Sequence, residues 1–103
     1  MVLDVRFLPN PHWDENLRPM SGLDQPVKDY VLTTDLASDF SERVNNLLDL
    51  ILPAYVQEGR SYFTIGIGCT GGRHRSVALV GHIAERIAAM GYKLRVTHRD
   101  ISL

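Results

Sequence analysis

Cysteine occurs once in this 103-residue chain, at position 69, so no internal disulfide can form. Nor does any Cys/His cluster carry the spacing of a zinc site, and no metal or cofactor is implied. A lone thiol suits a reducing, cytosolic setting. No stretch approaches the roughly 18 apolar residues of a membrane span, and Met1-Val2-Leu3-Asp4-Val5-Arg6 lacks the basic and apolar regions of a signal peptide. The expectation is a cytoplasmic domain without a membrane partner. An excess of charge is missing too: 11 basic residues face 12 acidic ones, for a net charge of −1. Overall charge therefore gives no footprint for nucleic acid or lipid. The chain also has no G-x-x-x-x-G-K-[ST], which excludes a P-loop nucleotide-binding site.

What is there fits one domain, with 45% hydrophobic residues to build a core. Val2–Leu8 reads as a strand, stopped by Pro9-Asn10-Pro11. Residues 9–25 hold Pro9, Pro11, Pro19 and Gly22 with little periodicity, and Trp13, Leu17 and Met20 give them apolar anchors. They are expected to form an ordered loop. Pro26 opens a short helix through Val31, and a longer one runs from Ser38 to Glu58, with Phe40, Val44, Leu47, Leu48, Ile51 and Tyr55 on its inner face. Pro53 should kink that helix or split off its last turn, and Gly59 should stop it. Ser61–Ile67 reads as a central parallel strand. A helix over Arg75–Met90 follows, with Val77, Val80, Ile83, Ala84, Ile87 and Ala88 inward. Gly91 and then a third strand over Lys93–Thr97 complete a small α/β parallel-sheet domain of β-α-β-α-β order.

Between the central strand and the last helix lies G-I-G-C-T-G-G-R-H-R-S-V, residues 66–77. A loop at the carboxyl end of a strand, running into a helix, is where open α/β sheets place ligands. Gly71 and Gly72 allow consecutive amides to turn inward, and the helix N-terminus adds unsatisfied N–H groups. Arg75 can pair with two phosphate oxygens, and the Thr70 and Ser76 hydroxyls can donate further bonds. Arg73 and His74 lie in the same turn. Cys69, Arg75 and Ser76 also match the C-x5-R-S spacing of a cysteine phosphatase, in which a thiolate attacks the phosphorus. Asp14 is the acid available for the leaving group. Against that reading, Gly68 stands where those phosphatases carry His. The loop is thus either a phosphate holder or a phosphatase.

Three blocks, D-V-R-F-L-P-N-P-H-W at 4–13, L-R-P-M-S-G-L-D at 17–24 and G-C-T-G-G-R-H-R-S-V at 68–77, resemble the C-terminal domain of the RapZ/YvcJ family over nearly the whole chain. Full-length members carry an N-terminal Walker-type nucleotide-binding domain that residues 1–103 lack. The resemblance implies a domain sensing glucosamine-6-phosphate or a similar phosphorylated small molecule, with Thr70, Gly71 and Arg75 on the phosphate and His12 joining from the first loop. It implies no catalysis by Cys69 and no cofactor; Cys69 is then expected to be a small, partly buried packing residue at the end of the strand. It also implies a small RNA and a ribonuclease as partners, with homo-oligomers allowed. Arg73, Arg95, His98 and Arg99 are the candidates for RNA. The end of this chain, Thr97-His98-Arg99-Asp100-Ile101-Ser102-Leu103, lacks the basic tail that family RNA binding uses, so the sugar-phosphate role ranks first. Arg18 is a candidate second anion contact, Trp13 a loop anchor or a stacking platform, and Asp4 and Arg6 a candidate pair.

Overall fold

Parallel strands cannot be joined by a tight turn, so a parallel pair requires a long return through the connection between its members. In the computed structural model, which describes residues 1–102, β1 (Val2–Asp4) pairs with β2 (Gly66–Gly68) in the register Val2↔Gly66, Leu3↔Ile67 and Asp4↔Gly68. The return contains α1 (Gln25–Leu32) and α2 (Asp35–Gln57), and α3 (Arg75–Ala89) follows β2. Among the described residues the result is a small α/β domain of two strands and three helices, with one 3-10 turn at Pro11–Trp13. Leu103 lies outside the described residues.

The sheet is smaller than the sequence suggests. Val5 N–H still donates to Gly68 O at 2.9 Å, but Arg6 N–H then turns onto the Asp4 carboxylate and Leu8 N–H onto Val5 O. This local side-chain acceptor draws the backbone out of the ladder, so β1 stops short of Leu8. Asp4 and Arg6 do pair, as an exposed ion pair at 2.6 Å. β2 starts at Gly66, where β1 first offers it a partner, instead of at Ser61. No strand forms over Lys93–Thr97, and the β-α-β-α-β order is not realised. Leu94 and Val96 are left 41% and 43% exposed; among the described residues no strand edge pairs with that segment.

The helices follow the sequence more closely. Pro26 stands in the first turn of α1, and Val27 and Val31, one turn apart, are fully buried. α2 begins three residues before the expected Ser38, because the Thr34 hydroxyl accepts from Ala37 N–H at 3.2 Å and caps it. It continues through Pro53 to Gln57, and Gly59, at φ +90°, ends it. Its buried stripe is Ala37, Ser41, Val44, Leu48 and Leu52, so Leu47 faces out while Phe40, Ile51 and Tyr55 are half-buried. On α3, Leu79 and Ile83 join the core, whereas Ala88 is exposed.

Residues 9–24 are ordered by docking on the start of α3. Leu17 and Met20 pack into the core, as expected, but Trp13 is 77% exposed and stands edge-to-face with the His12 ring. The closest approach is at Gly22, whose N–H donates to Arg73 O at 2.9 Å. A Cβ there would overlap Ala78 N and His74 O and lie 2.7 Å from Val77 Cβ. Backbone atoms cannot move aside as a flexible side chain can. Gly22→Ala is therefore expected to destabilise the domain by about 1–3 kcal/mol or more, read as a lower urea midpoint with an unchanged slope.

Candidate functional site: the loop between β2 and α3

Residues 69–74 connect the end of β2 to α3, and three backbone features shape them. Gly71 and Gly72 have φ values of +83° and +68°, in the left-handed region that only glycine enters without strain. Thr70 and Gly71 are exposed at the crest. The first turn of α3 presents N–H groups without carbonyl partners, which gives the loop a positive end. The arrangement suits a small anion.

Arg75 differs from its expected posture. It is only 4% exposed, and its Nη1 donates to Arg6 O at 2.5 Å and more weakly to Leu8 O at 3.4 Å. The guanidinium thus clamps the turn after β1 to the first residue of α3. Its Nε is buried without a partner. The neighbouring cation and imidazole are also turned inward. Arg73 donates from Nε to Met20 O and from Nη2 to Pro19 O, and His74 Nε2 sits 3.1 Å from Arg18 O. Both side chains hold the 9–24 loop against the helix.

Cys69 is half-buried, but it does more than pack. Ser76 N–H donates to its Sγ at 3.3 Å, and the thiol and the Ser76 hydroxyl lie 3.3 Å apart. Burial pushes the thiol up. The Ser76 hydroxyl, the Ser76 and Gly72 N–H groups and the Arg75 charge outweigh it and hold the thiol below its ordinary value.

The family model described as the RapZ C-terminal domain matches residues 1–102. The chain belongs to the RapZ C-terminal domain family. It is 51% identical over 102 residues to a "Nucleotide-binding protein" of Syntrophotalea carbinolica, covering 99% of this chain and 35% of that one. A protein of the same name from Trichlorobacter lovleyi is 52% identical over 101 residues, covering 98% and 35%. One from Desulforudis audaxviator is 45% identical over 101 residues, covering 98% and 34%. The chain thus spans about a third of the length of these relatives.

The other candidate residues of this RapZ C-terminal domain are placed as follows. His12 is exposed on the 3-10 turn, and its carbonyl accepts from Arg18 Nε at 2.6 Å, so these two are neighbours on the 9–24 loop. Ser76 is buried against Cys69. Arg95 is exposed, His98 is half-buried, and Arg99 pairs with Asp100 at 2.9 Å. Asp100 is a contact the sequence does not announce: its Cβ and Oδ2 lie 3.1 and 3.2 Å from where a Gly72 Cβ would stand. The tail therefore reaches the edge of the loop. Two helix-lined clefts, of about 380 and 260 Å³, include no residue of the loop. Among the described residues no group of His, Cys, Asp and Glu is placed to hold a metal, and no helix is long and apolar enough to cross a membrane.

The clamp has a testable consequence. Arg75→Ala removes a charged donor from two carbonyls and is expected to lower folding stability by about 1.5–3 kcal/mol, apart from any effect on ligands. Urea unfolding of the variant without ligand measures it.

Proposed function

We propose that this domain is a cytoplasmic sensor that holds a sugar phosphate of the glucosamine-6-phosphate type on the 70–76 loop and does no chemistry on it. The observation that carries the reading is the pair of left-handed glycines, Gly71 and Gly72, between a parallel strand and a helix N-terminus. The buried Arg75, with its unpartnered Nε, lies directly behind. The phosphate rests on loop amides and the Thr70 hydroxyl, with the Arg75 charge adding long-range attraction. His12, at the rim of the neighbouring loop, supplies a polar contact to the sugar. The relatives' name, "Nucleotide-binding protein", fits a family that handles phosphorylated ligands.

The phosphatase alternative draws support from the low-lying Cys69 thiol. Two observations weigh against turnover. The Asp14 carboxylate accepts from Asn16 N–H at 2.8 Å and Leu17 N–H at 3.2 Å, which ties it down as an acceptor within its own turn. Arg75 Nη1 is engaged with carbonyls where a phosphatase would need it on the transferring group. RNA binding has less support than phosphosugar binding. Arg73 is anchored on Pro19 and Met20, Arg99 on Asp100, and the net charge is −1.

Calorimetry with glucosamine-6-phosphate, glucosamine and inorganic phosphate tests the proposal. The phosphosugar should bind and unphosphorylated glucosamine should not. Gly71→Ala meets no atom within 4 Å but forces an alanine to φ +83°. It should weaken binding by about 1–2 kcal/mol, the cost of the left-handed conformation. Equal heats for glucosamine and its phosphate would overturn the reading. An aryl phosphate should not turn over; turnover that vanishes in Cys69→Ser would establish the phosphatase instead.

A further inference from the structure

Cys69 was expected to fill space at the end of β2, but the structure surrounds its sulfur with donors. Ser76 N–H donates to it at 3.3 Å, and the Ser76 hydroxyl, which accepts from the thiol at 3.3 Å, can turn to donate to a thiolate. A thiol that only packs needs none of them. The residue is half-buried beside exposed Thr70 and Gly71, so a small reagent can reach it.

An independent observation comes from Arg75. This side chain is 4% exposed, its Nε has no partner, and its two acceptors are neutral carbonyls. Among the described residues the ion pairs are Asp4–Arg6, Asp49–Arg86 and Asp100–Arg99, and none includes Arg75. The Asp4 carboxylate, bonded to Arg6, is near enough to feel the Arg75 charge, but no carboxylate is bonded to this buried guanidinium, and its charge also acts on the sulfur. The other charged groups around the loop are accounted for. Arg73 and His74 face the carbonyls of 18–20, Asp4 on β1 is paired with Arg6, and Asp100 at the Gly72 edge is paired with Arg99.

We propose that Cys69 is a modification site, a nucleophilic sulfur within the 69–76 loop that a hydroperoxide oxidises to a sulfenic acid. The thiolate lone pair attacks one peroxide oxygen and forms the S–O bond, and the O–O bond breaks. The departing oxygen leaves as hydroxide or alkoxide and takes a proton from water. Sulfur is oxidised by two electrons and the peroxide is reduced by two, with the hydroperoxide as the only co-reactant. The modified cysteine adds an oxygen where the loop amides converge and so competes with phosphate there. The nucleophile itself does not depend on the phosphosugar reading; only its protection by phosphate does.

Iodoacetamide labelling of the native protein, followed by mass spectrometry between about pH 5 and 9, measures the thiolate directly. The same chain unfolded in guanidinium chloride is the reference. The native rate profile should have its midpoint below that of the unfolded chain, and Ser76→Ala should move it up. Hydrogen peroxide should give a dimedone adduct on Cys69. A native midpoint at or above the unfolded one, or no labelling near neutral pH, would overturn the proposal, and both readouts need only the wild-type protein. Inorganic phosphate should slow the labelling. A low midpoint without phosphate protection upholds the nucleophile and counts against the phosphosugar reading. Protection with an unfolded-like midpoint sinks the nucleophile and leaves that reading standing.

Discussion

The buried guanidinium of Arg75 is the constraint on which the β2–α3 junction depends. A cation taken out of water is strongly unfavourable unless its donors find acceptors. Here the acceptors are Arg6 O and Leu8 O, carbonyls that a longer β1 would have placed in a ladder. Only because the chain curls after Asp4, with Arg6 N–H on the carboxylate and Leu8 N–H on Val5 O, do they turn toward α3. The short sheet and the arginine clamp are one structural solution. The Asp4–Arg6 pair that starts the curl is exposed, and its Asp4 carboxyl is held down to about 2 by the Arg6 side chain and backbone N–H. As a depressed acid, Asp4 supports the folded state above its unfolded range, near 4, and loses that contribution as pH falls through about 2.

A similar logic docks residues 9–24. Few of their carbonyls belong to a regular element, and donors arriving from the far side of the loop satisfy several of them. Arg73 reaches Pro19 and Met20, His74 reaches Arg18, and Gly22 brings the two backbones close enough for its N–H to meet Arg73 O. The site is thereby left with a particular chemistry. Its side-chain cations are mostly turned inward, so the positive potential over Thr70 and Gly71 comes from backbone dipoles and a buried charge. Such a source is fixed in place before any ligand arrives, and it favours a compact anion over an extended polyanion.

The sequence announces these features unevenly. The three helices are legible because α1, α2 and α3 each carry an apolar stripe at helical spacing, and Gly59 and Gly91 mark two ends at φ +90°. Gly71 and Gly72 are legible because two adjacent glycines before a helix seldom serve anything but unusual backbone angles. Strand extents are not legible. Whether Ser61–Ile65 or Lys93–Thr97 joins a sheet depends on a partner edge elsewhere in the chain, and β propensity carries no information on that. Trp13 misleads for a related reason: an aromatic residue suggests an anchor, but burial depends on what lies opposite. Nothing local marks the role of Gly22 or the approach of Asp100 to Gly72, because both depend on segments more than 25 residues away in the chain.

The opening alternative between a holder and a nucleophile rests on one set of donors. Ser76 and Gly72 N–H groups and the Arg75 charge stabilise negative charge on Cys69, and the same groups would stabilise an oxyanion above it. Two like charges in one small loop repel, so each weakens the other. By linkage, a dianion seated there raises the affinity of the sulfur for its proton, and loss of that proton disfavours the dianion to the same degree. A phosphatase resolves this conflict by ejecting a leaving group protonated by an acid. Here Asp14 is held as an acceptor by its own turn, and Arg75 is seated on carbonyls behind the loop. On the proposed reading, what remains is a site where an anion and a thiolate exclude one another, as a sensor with a second input through its sulfur requires.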